Sequence, residues 1–403
     1  MPSVDLTSYR DRYRDGLLQD TLPFWIKHGL DPKNGGVYSC LARDGSLLDS
    51  DKSVWIQGRF AWLLATLYNT VEPREEWLAG ALSCLRYLEQ HAFDEDDRMF
   101  FLLTQDGLPL RKRRYVYSEA FACIAYAACS KATQGLAETN GIKDGDSEAY
   151  AKRAVQLFET YNRISFEADQ APPKVDPHSR PSKGLGPLMI GINLAQILRE
   201  NISYTASDDY IDRYIQEIQV DFCKPELEAV METVSPKGEI IDHFDGRLLN
   251  PGHALEAAWF ILHEARHRNN DSSLVQLGVQ ILDWMWQRGW DQEHGGIYYF
   301  RDVDGKPVAE YWHDMKFWWP HNEAIIATLL AYHLTDDPRH LERHALVHEW
   351  AHQHFADPKH GEWFGYLHRD GSRSTDLKGN LWKGPFHLPR MQLYCWRLLD
   401  GMS

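Results

Sequence analysis

Three short segments of this chain carry histidine or glutamate inside otherwise apolar, helix-like stretches: His253 in NPGHALEA, His321 and Glu323 in WWPHNEA, and His387 in PFHLPR. Pro251, Pro320 and Pro389 stand close by, as suits the first turn of a helix, where a missing N–H costs little. Asn250 is placed to cap the first of these helices. Side chains at a helix start sit at the positive end of its dipole, which favours developing negative charge and lowers a histidine's pKa. Histidine titrates near neutrality, so such a cluster suits general acid–base chemistry. The same pattern also fits buried, hydrogen-bonded histidines that do no chemistry.

The elements that must position these residues repeat. A turn rich in Asp, Asn, His and Gly, an alternating aromatic stretch and a D-G turn occur as DPKNGGVYSCLARDG at 31–45, DEDDRMFFLLTQDG at 94–107, DQEHGGIYYFRDVDG at 291–305 and DPKHGEWFGYLHRDG at 357–371. The alternation before each D-G predicts short β-hairpins. Six strongly apolar segments recur along the chain: KSVWIQGRFAWLLATLY, RYVYSEAFACIAYAAC, KGLGPLMIGINLAQIL, NPGHALEAAWFILHEA, KFWWPHNEAIIATLLAY and KGPFHLPRMQLYCWRLL. Amphipathic stretches such as REEWLAGALSCLRYLEQHAF and SSLVQLGVQILDWMWQRG lie between them. Six helix pairs without long strands predict an all-α fold, an (α/α)6 barrel with short hairpins on one rim, spanning 1–403 as one domain. Inner helices of a closed ring are buried on most faces, which explains their apolar character and favours closure over an open solenoid. The polar residues at their starts then converge on one rim.

Composition narrows the function. The chain has 403 residues, 43% hydrophobic and 25% charged, with 43 Lys+Arg against 58 Asp+Glu and a net charge of −15. That balance disfavours nucleic acid and anionic lipid as partners. No basic and apolar leader or membrane-length apolar run is present, so a cytoplasmic location is expected. The six cysteines form no C-x-x-C pair, which indicates neither a disulfide framework nor a thiolate metal site.

The segments WIQGR, YSE, NPGHALEA, GWD followed by HGG, KFWWPH with NEA, EWFGYL and KGPFHLPR resemble the N-acylglucosamine 2-epimerase (renin-binding protein) family, from about residue 20 to about residue 395. The resemblance implies an (α/α)6 barrel, a homodimer, and interconversion of N-acetylglucosamine with N-acetylmannosamine. Inverting C2 requires ring opening, removal of the proton next to the C1 aldehyde, and its return to the opposite face, which two bases on opposite sides accomplish directly. By the resemblance those bases are His253 and His387, and the family's essential arginine and glutamate map to Arg59 and Glu323. Arg59 is read as stabilising the enolate oxygen, although it is equally suited to pair with a carboxylate such as Glu119. Glu323 is read as orienting a histidine or helping ring opening, with His321 sharing that work. Trp55, Trp318 and Trp319 offer stacking faces for a pyranose, Glu119 and Glu256 offer hydroxyl acceptors, and Asn250 is a cap beside the substrate. The resemblance also implies ATP as an activator that is not consumed, bound through a basic loop ending in R-P-x-K-G. Here that loop is PPKVDPHSRPSKG, with Lys174, Arg180 and Lys183 as phosphate contacts. Pro385 departs from the family pattern, which has a small residue such as Cys there.

Other patterns compete. HEARH at 263–267 matches H-E-x-x-H, but it lies at the far end of the His253 helix with no third-ligand motif after it, and no metal is expected. His344, His348 and His352 read as a polar face of an outer helix, and RKRR at 111–114 as a solvated hairpin. The alternative activities are a 2-epimerase or ketol-isomerase of unsubstituted sugars such as cellobiose or mannose, and an inverting glycoside hydrolase using Glu119 and Glu323.

Overall fold

The computed structural model describes residues 5–112, 115–136, 142–167, 170, 176 and 178–402. In chain order its helices are α1 (Leu6–Asp15), α2 (Leu22–Gly29), α3 (Val54–Thr70), α4 (Glu75–His91), α5 (Tyr117–Thr133), α6 (Asp146–Phe166) and α7 (Leu185–Ile202). They continue as α8 (Ser207–Glu217), the single turn α9 (Phe244–Arg247), α10 (Pro251–His267), α11 (Ser272–Gly289), α12 (Trp318–Thr335), α13 (Pro338–Phe355) and α14 (His387–Asp400). The apolar segments are α3, α5, α7, α10, α12 and α14, and they are buried along most of their length. The amphipathic helices α4, α6, α8, α11 and α13 pack outside them. This is the (α/α)6 barrel. Its sixth outer position is taken by the N-terminal helix α1, which packs on α14. The ring also closes where Phe386, just before α14, meets Trp62 of α3 at 5.4 Å.

Docking of α1 explains the histidines of α13. His344 and His348 are fully buried and share the Tyr13 hydroxyl at 3.0 and 2.6 Å, while His352 bonds back to the carbonyl of His348. The expected polar face is therefore the seat of the N-terminal helix. Burial holds the His344 imidazole down at about 4, so it is neutral there.

The hairpins are tied to the ring by buried ion pairs. Asp31, Asp291 and Asp357 each lie just past an outer helix, α2, α11 and α13, and accept backbone N–H groups of their own turn. Each also receives a fully buried ammonium: Lys52 on Asp31 at 2.8 Å, Lys316 on Asp291 at 3.0 Å and Lys378 on Asp357 at 3.1 Å. Lys52–Ser53 and Lys316–Phe317 are the strands that run directly into α3 and α12. The next hairpin around the ring then reaches back: Arg43 clasps Asp357, Arg369 clasps Asp291, and Gln105 bonds Asp31. Strands pair the same way, Lys52–Ser53 with Phe100–Leu103 and Lys316–Phe317 with Tyr366–Leu367.

Removing one ion of a buried pair leaves the other uncompensated. Lys316→Met is expected to lower the unfolding free energy by about 3–5 kcal/mol. Denaturant titration measures this; a loss below about 1 kcal/mol would mean that Arg369 and the turn amides satisfy Asp291 without the lysine.

Candidate active site

The starts of the inner helices open into one cavity of about 500 Å³. Its charged and titratable lining consists of Arg59, His253, Glu256, His387 and Arg390, set among aromatic walls that include Trp55, Tyr117, Phe121, Trp318, Trp319 and Phe386. An aromatic enclosure of this kind keeps the effective dielectric low and strengthens every charge interaction inside it.

Both histidines reach the cavity with one ring nitrogen already fixed. Asn250 caps α10 by accepting the His253 backbone N–H at 3.2 Å. The His253 Nδ1 faces the Glu232 carboxylate at 2.9 and 3.1 Å. Across the ring, His387 opens α14 and its Nδ1–H donates to Glu323 Oε1 at 2.7 Å. In both rings a carboxylate on Nδ1 selects the tautomer that leaves Nε2 for chemistry. Trp319 packs against both, its ring 5.2 Å from His253 and 5.7 Å from His387. The indole fits because α10 carries Gly252 there: a Cβ would come within 2.5 Å of Trp319.

The two carboxylates are not equivalent. Glu323 also accepts Trp259 Nε1–H at 2.7 Å and Arg390 Nη2–H at 2.7 Å, and Arg390 bridges onward to Glu256 at 2.5 Å. Glu256, Glu323 and His387 bring their ligand atoms within 4.8 Å of one another, a spacing that also suits a metal ion, but the Arg390 guanidinium already bonds both carboxylates. Burial and the nearby Arg390 push the His387 imidazole well below its usual range. Burial also disfavours the His253 cation, yet the Glu232 charge and hydrogen bond, with Glu256 and Glu323, leave its pKa raised.

Arg59 is the guanidinium without a carboxylate. Gly58 permits the approach of α3 to α5, since a Cβ there would lie 2.6 Å from the Phe121 carbonyl. Arg59 then lies over Phe121 at 4.0 Å and Phe386 at 4.8 Å. Its one direct hydrogen bond among the described residues is to the Trp382 carbonyl, and Nε is buried with no partner. Burial and the second cation, Arg390, lower its pKa to about 9. A caged, under-coordinated guanidinium is a ready hydrogen-bond donor to an oxyanion.

The structure thus brings together Arg59, His253, His387, Glu323, Trp55, Glu256 and Trp319. It separates others. Glu119 lies outside the cavity lining, its Oε1 held by Arg98 Nε at 2.6 Å and the Met99 amide at 3.0 Å, so its ion-pair partner is Arg98 and not Arg59. His321 staples a hairpin, accepting the Ile297 N–H and donating to the Phe317 carbonyl, and burial lowers it to about 3. Asn250 serves as the cap and does not line the cavity. Of the nucleotide-loop residues, Lys174 lies outside the described residues, Arg180 is exposed, and Lys183 is engaged by Glu217 and Asp221. In HEARH, Glu264 pairs with Arg199 and Arg268, and His263 bonds Tyr394 and Glu200. Within RKRR, Arg113 and Arg114 lie outside the described residues. Sequence reasoning missed Arg390, Trp259 and Glu232. The first stands one helical turn after His387 in PFHLPR and was legible there; Glu232, in an irregular segment, carried no such signal.

The family model of N-acylglucosamine 2-epimerase (GlcNAc 2-epimerase) matches residues 36–387. The chain is 34% identical to the N-acylglucosamine 2-epimerase of Bos taurus, over 98% of this chain and 92% of that one. It is 25% identical to a cellobiose 2-epimerase of Bacteroides fragilis, over 92% and 94%. The solved structure of cellobiose 2-epimerase from Bacillus thermoamylovorans B4167 superposes with a TM-score of 0.82 at 20% identity, covering 98% of this chain and all of that one, which shows the barrel fold.

Because Trp319 is the wall shared by both histidines, crowding it should disturb the pair together. Gly252→Ala is expected to displace the indole and destabilise the chain by about 1–3 kcal/mol. Denaturant unfolding and the indole N–H resonance of Trp319 would check this, an unmoved midpoint and resonance being the contrary result.

Proposed function

The chain belongs to the N-acylglucosamine 2-epimerase family, and from that premise we propose that it interconverts N-acetylglucosamine and N-acetylmannosamine at the cavity described above. One observation carries the reading: two histidines, each oriented through Nδ1 by a carboxylate, line the same aromatic cavity, both against the Trp319 ring. In the proposed reaction the open-chain sugar places its C2 between them. One imidazole takes the C2 proton at Nε2, the electron pair moves into the C1 carbonyl to give an enolate, and Arg59 stabilises the oxygen charge. The other histidine, protonated, returns a proton to the opposite face of C2. The product is an isomer, and nothing else is consumed.

Glu323 acts by orienting His387, and Glu256, turned to the cavity and steadied by Arg390, accepts a sugar hydroxyl. The N-acetylated substrate is favoured over an unsubstituted one by the higher identity to the bovine enzyme than to the cellobiose enzyme. Activation by ATP and a homodimeric assembly stay part of the proposal.

Incubation with N-acetylglucosamine in D2O, with and without ATP, tests it by NMR. N-acetylmannosamine carrying deuterium at C2 is expected. Absence of both product and C2 exchange in either condition would sink the reading, and fructose formed from mannose would move it to a ketol-isomerase. His253→Gln and His387→Gln should each lower turnover roughly 10²–10⁴-fold in a folded protein; wild-type turnover in either removes that residue from the reaction.

A further inference from the structure

A two-base exchange needs one histidine protonated and the other neutral when substrate arrives. Two equivalent imidazoles would meet that condition only near their common pKa, close to 6.5. This site breaks the equivalence. The Glu323 carboxylate beside His387 is shared with Arg390 and Trp259, and the Arg390 Nη2 lies 3.3 Å from His387 Nδ1. Among the described residues no lysine or arginine pairs with Glu232, so no cation shares its carboxylate with His253. Its backbone is fixed on both sides: the Glu232 N–H donates to the Leu248 carbonyl, and its own carbonyl accepts the Leu185 N–H at the start of α7.

We propose that Glu232 is a positioning residue that keeps the single proton of the pair on His253, so that the free site holds His253 protonated and His387 neutral across neutral pH. The inference rests on the two-histidine reading above and names how that site is set. Burial opposes the His253 cation, as does His387 on α14; of the charged groups that face it, Glu232 from the segment ahead of α10, Glu256 on α10 and Glu323 on α12 favour it. Tyr117 on α5 and Tyr299 stand near Glu232; burial first raises both, followed by the Glu232 charge at Tyr117 and by Tyr366 and then Glu232 at Tyr299, so they stay neutral neighbours. On His387 the balance is reversed by Arg390 and Arg59. In the exchange, neutral His387 takes the C2 proton and His253 donates its own. The opposite epimer uses the same singly protonated pair with the proton on His387.

Because the sugars are uncharged, kcat/KM in both directions must follow one bell-shaped pH profile. Its alkaline limb marks loss of the His253 proton and its acid limb the second protonation, at His387. Glu232→Gln keeps a hydrogen-bond acceptor and removes the charge. It is expected to move the alkaline limb toward acid by about one pH unit, giving a roughly tenfold loss of kcat/KM on the alkaline side that shrinks toward the acid limb, which stays in place. Glu232→Asp, which retains the charge, should restore the limb toward its original position. Independently of turnover, the imidazole NMR titration of His253 should fall in midpoint in Glu232→Gln. An unchanged profile, or a uniform loss at every pH with both limbs and the His253 midpoint unmoved, overturns the proposal. If the unaltered protein exchanges no C2 proton with any sugar, the epimerase reading fails while the imidazole titration still decides the role of Glu232.

Discussion

The buried aspartate–lysine pairs at three of the rim turns, Asp31–Lys52, Asp291–Lys316 and Asp357–Lys378, are the interaction on which the rest of the structure depends. Asp291 lies just past the outer helix α11, and Lys316 stands at the last strand before the inner helix α12. Bonding them fixes where one helix pair ends and the next begins, in a place where neither charge can find water. The aspartate also accepts turn amides, and its carboxyl is held well below the ordinary range: burial opposes this, and Arg369, the turn N–H groups and Lys316 outweigh it. A buried pair adds little net stability over an apolar substitute, but it tolerates little displacement, because an ion moved off its partner is left uncompensated. The arginines on Asp291 and Asp357 come from the following hairpins, so adjacent turns are pinned to each other as well as to the helices.

That precision matters because the site is assembled from helix starts. Trp318 and Trp319 follow Lys316 within three residues, and Glu323 lies one turn further along α12. Setting the entry of this helix sets the indole that contacts both histidines and the carboxylate that orients His387. The two guanidiniums divide the work between them. Arg390 is paired through Nη2 with Glu256 and Glu323 and shapes the charge state of His387, whereas Arg59, caged by rings, pairs with no carboxylate among the described residues.

The ring was legible because the two kinds of helix differ in pattern. Segments apolar on every side became α3, α5, α7, α10, α12 and α14, and the amphipathic ones became their outer partners. The sixth outer helix was not legible: MPSVDLTSYRDRYRDG reads as polar surface, and what seats it is Tyr13 against histidines more than three hundred residues away. Those histidines at four-residue spacing looked like a solvated face for the same reason, since helical periodicity shows a shared face and not what covers it. The site divides similarly. His253, His387, Arg59 and Glu323 were marked by helix-start position and by resemblance, but the same logic placed His321 beside them, where it bonds a hairpin backbone. Glu119 fails because its partner, Arg98, comes from the neighbouring hairpin, a contact that spacing along α5 does not encode.

The cavity's chemistry also bears on the hydrolytic alternative. Inverting hydrolysis of a glycosidic bond needs one carboxylic acid to protonate the leaving oxygen and a second carboxylate to activate water across the ring. Of the residues lining the cavity, Glu256 is the one carboxylate, and its Oε1 is bonded to the Arg390 guanidinium. Glu119 faces Arg98 outside the lining, and Glu323 is enclosed by Trp259, His387 and Arg390. What the cavity does present is two imidazoles, one with its pKa raised and one held well below its usual range, beside an arginine that pairs with no carboxylate among the described residues. That set suits moving a proton to and from carbon next to a carbonyl, where charge appears on oxygen only transiently and a preorganised cation has most effect.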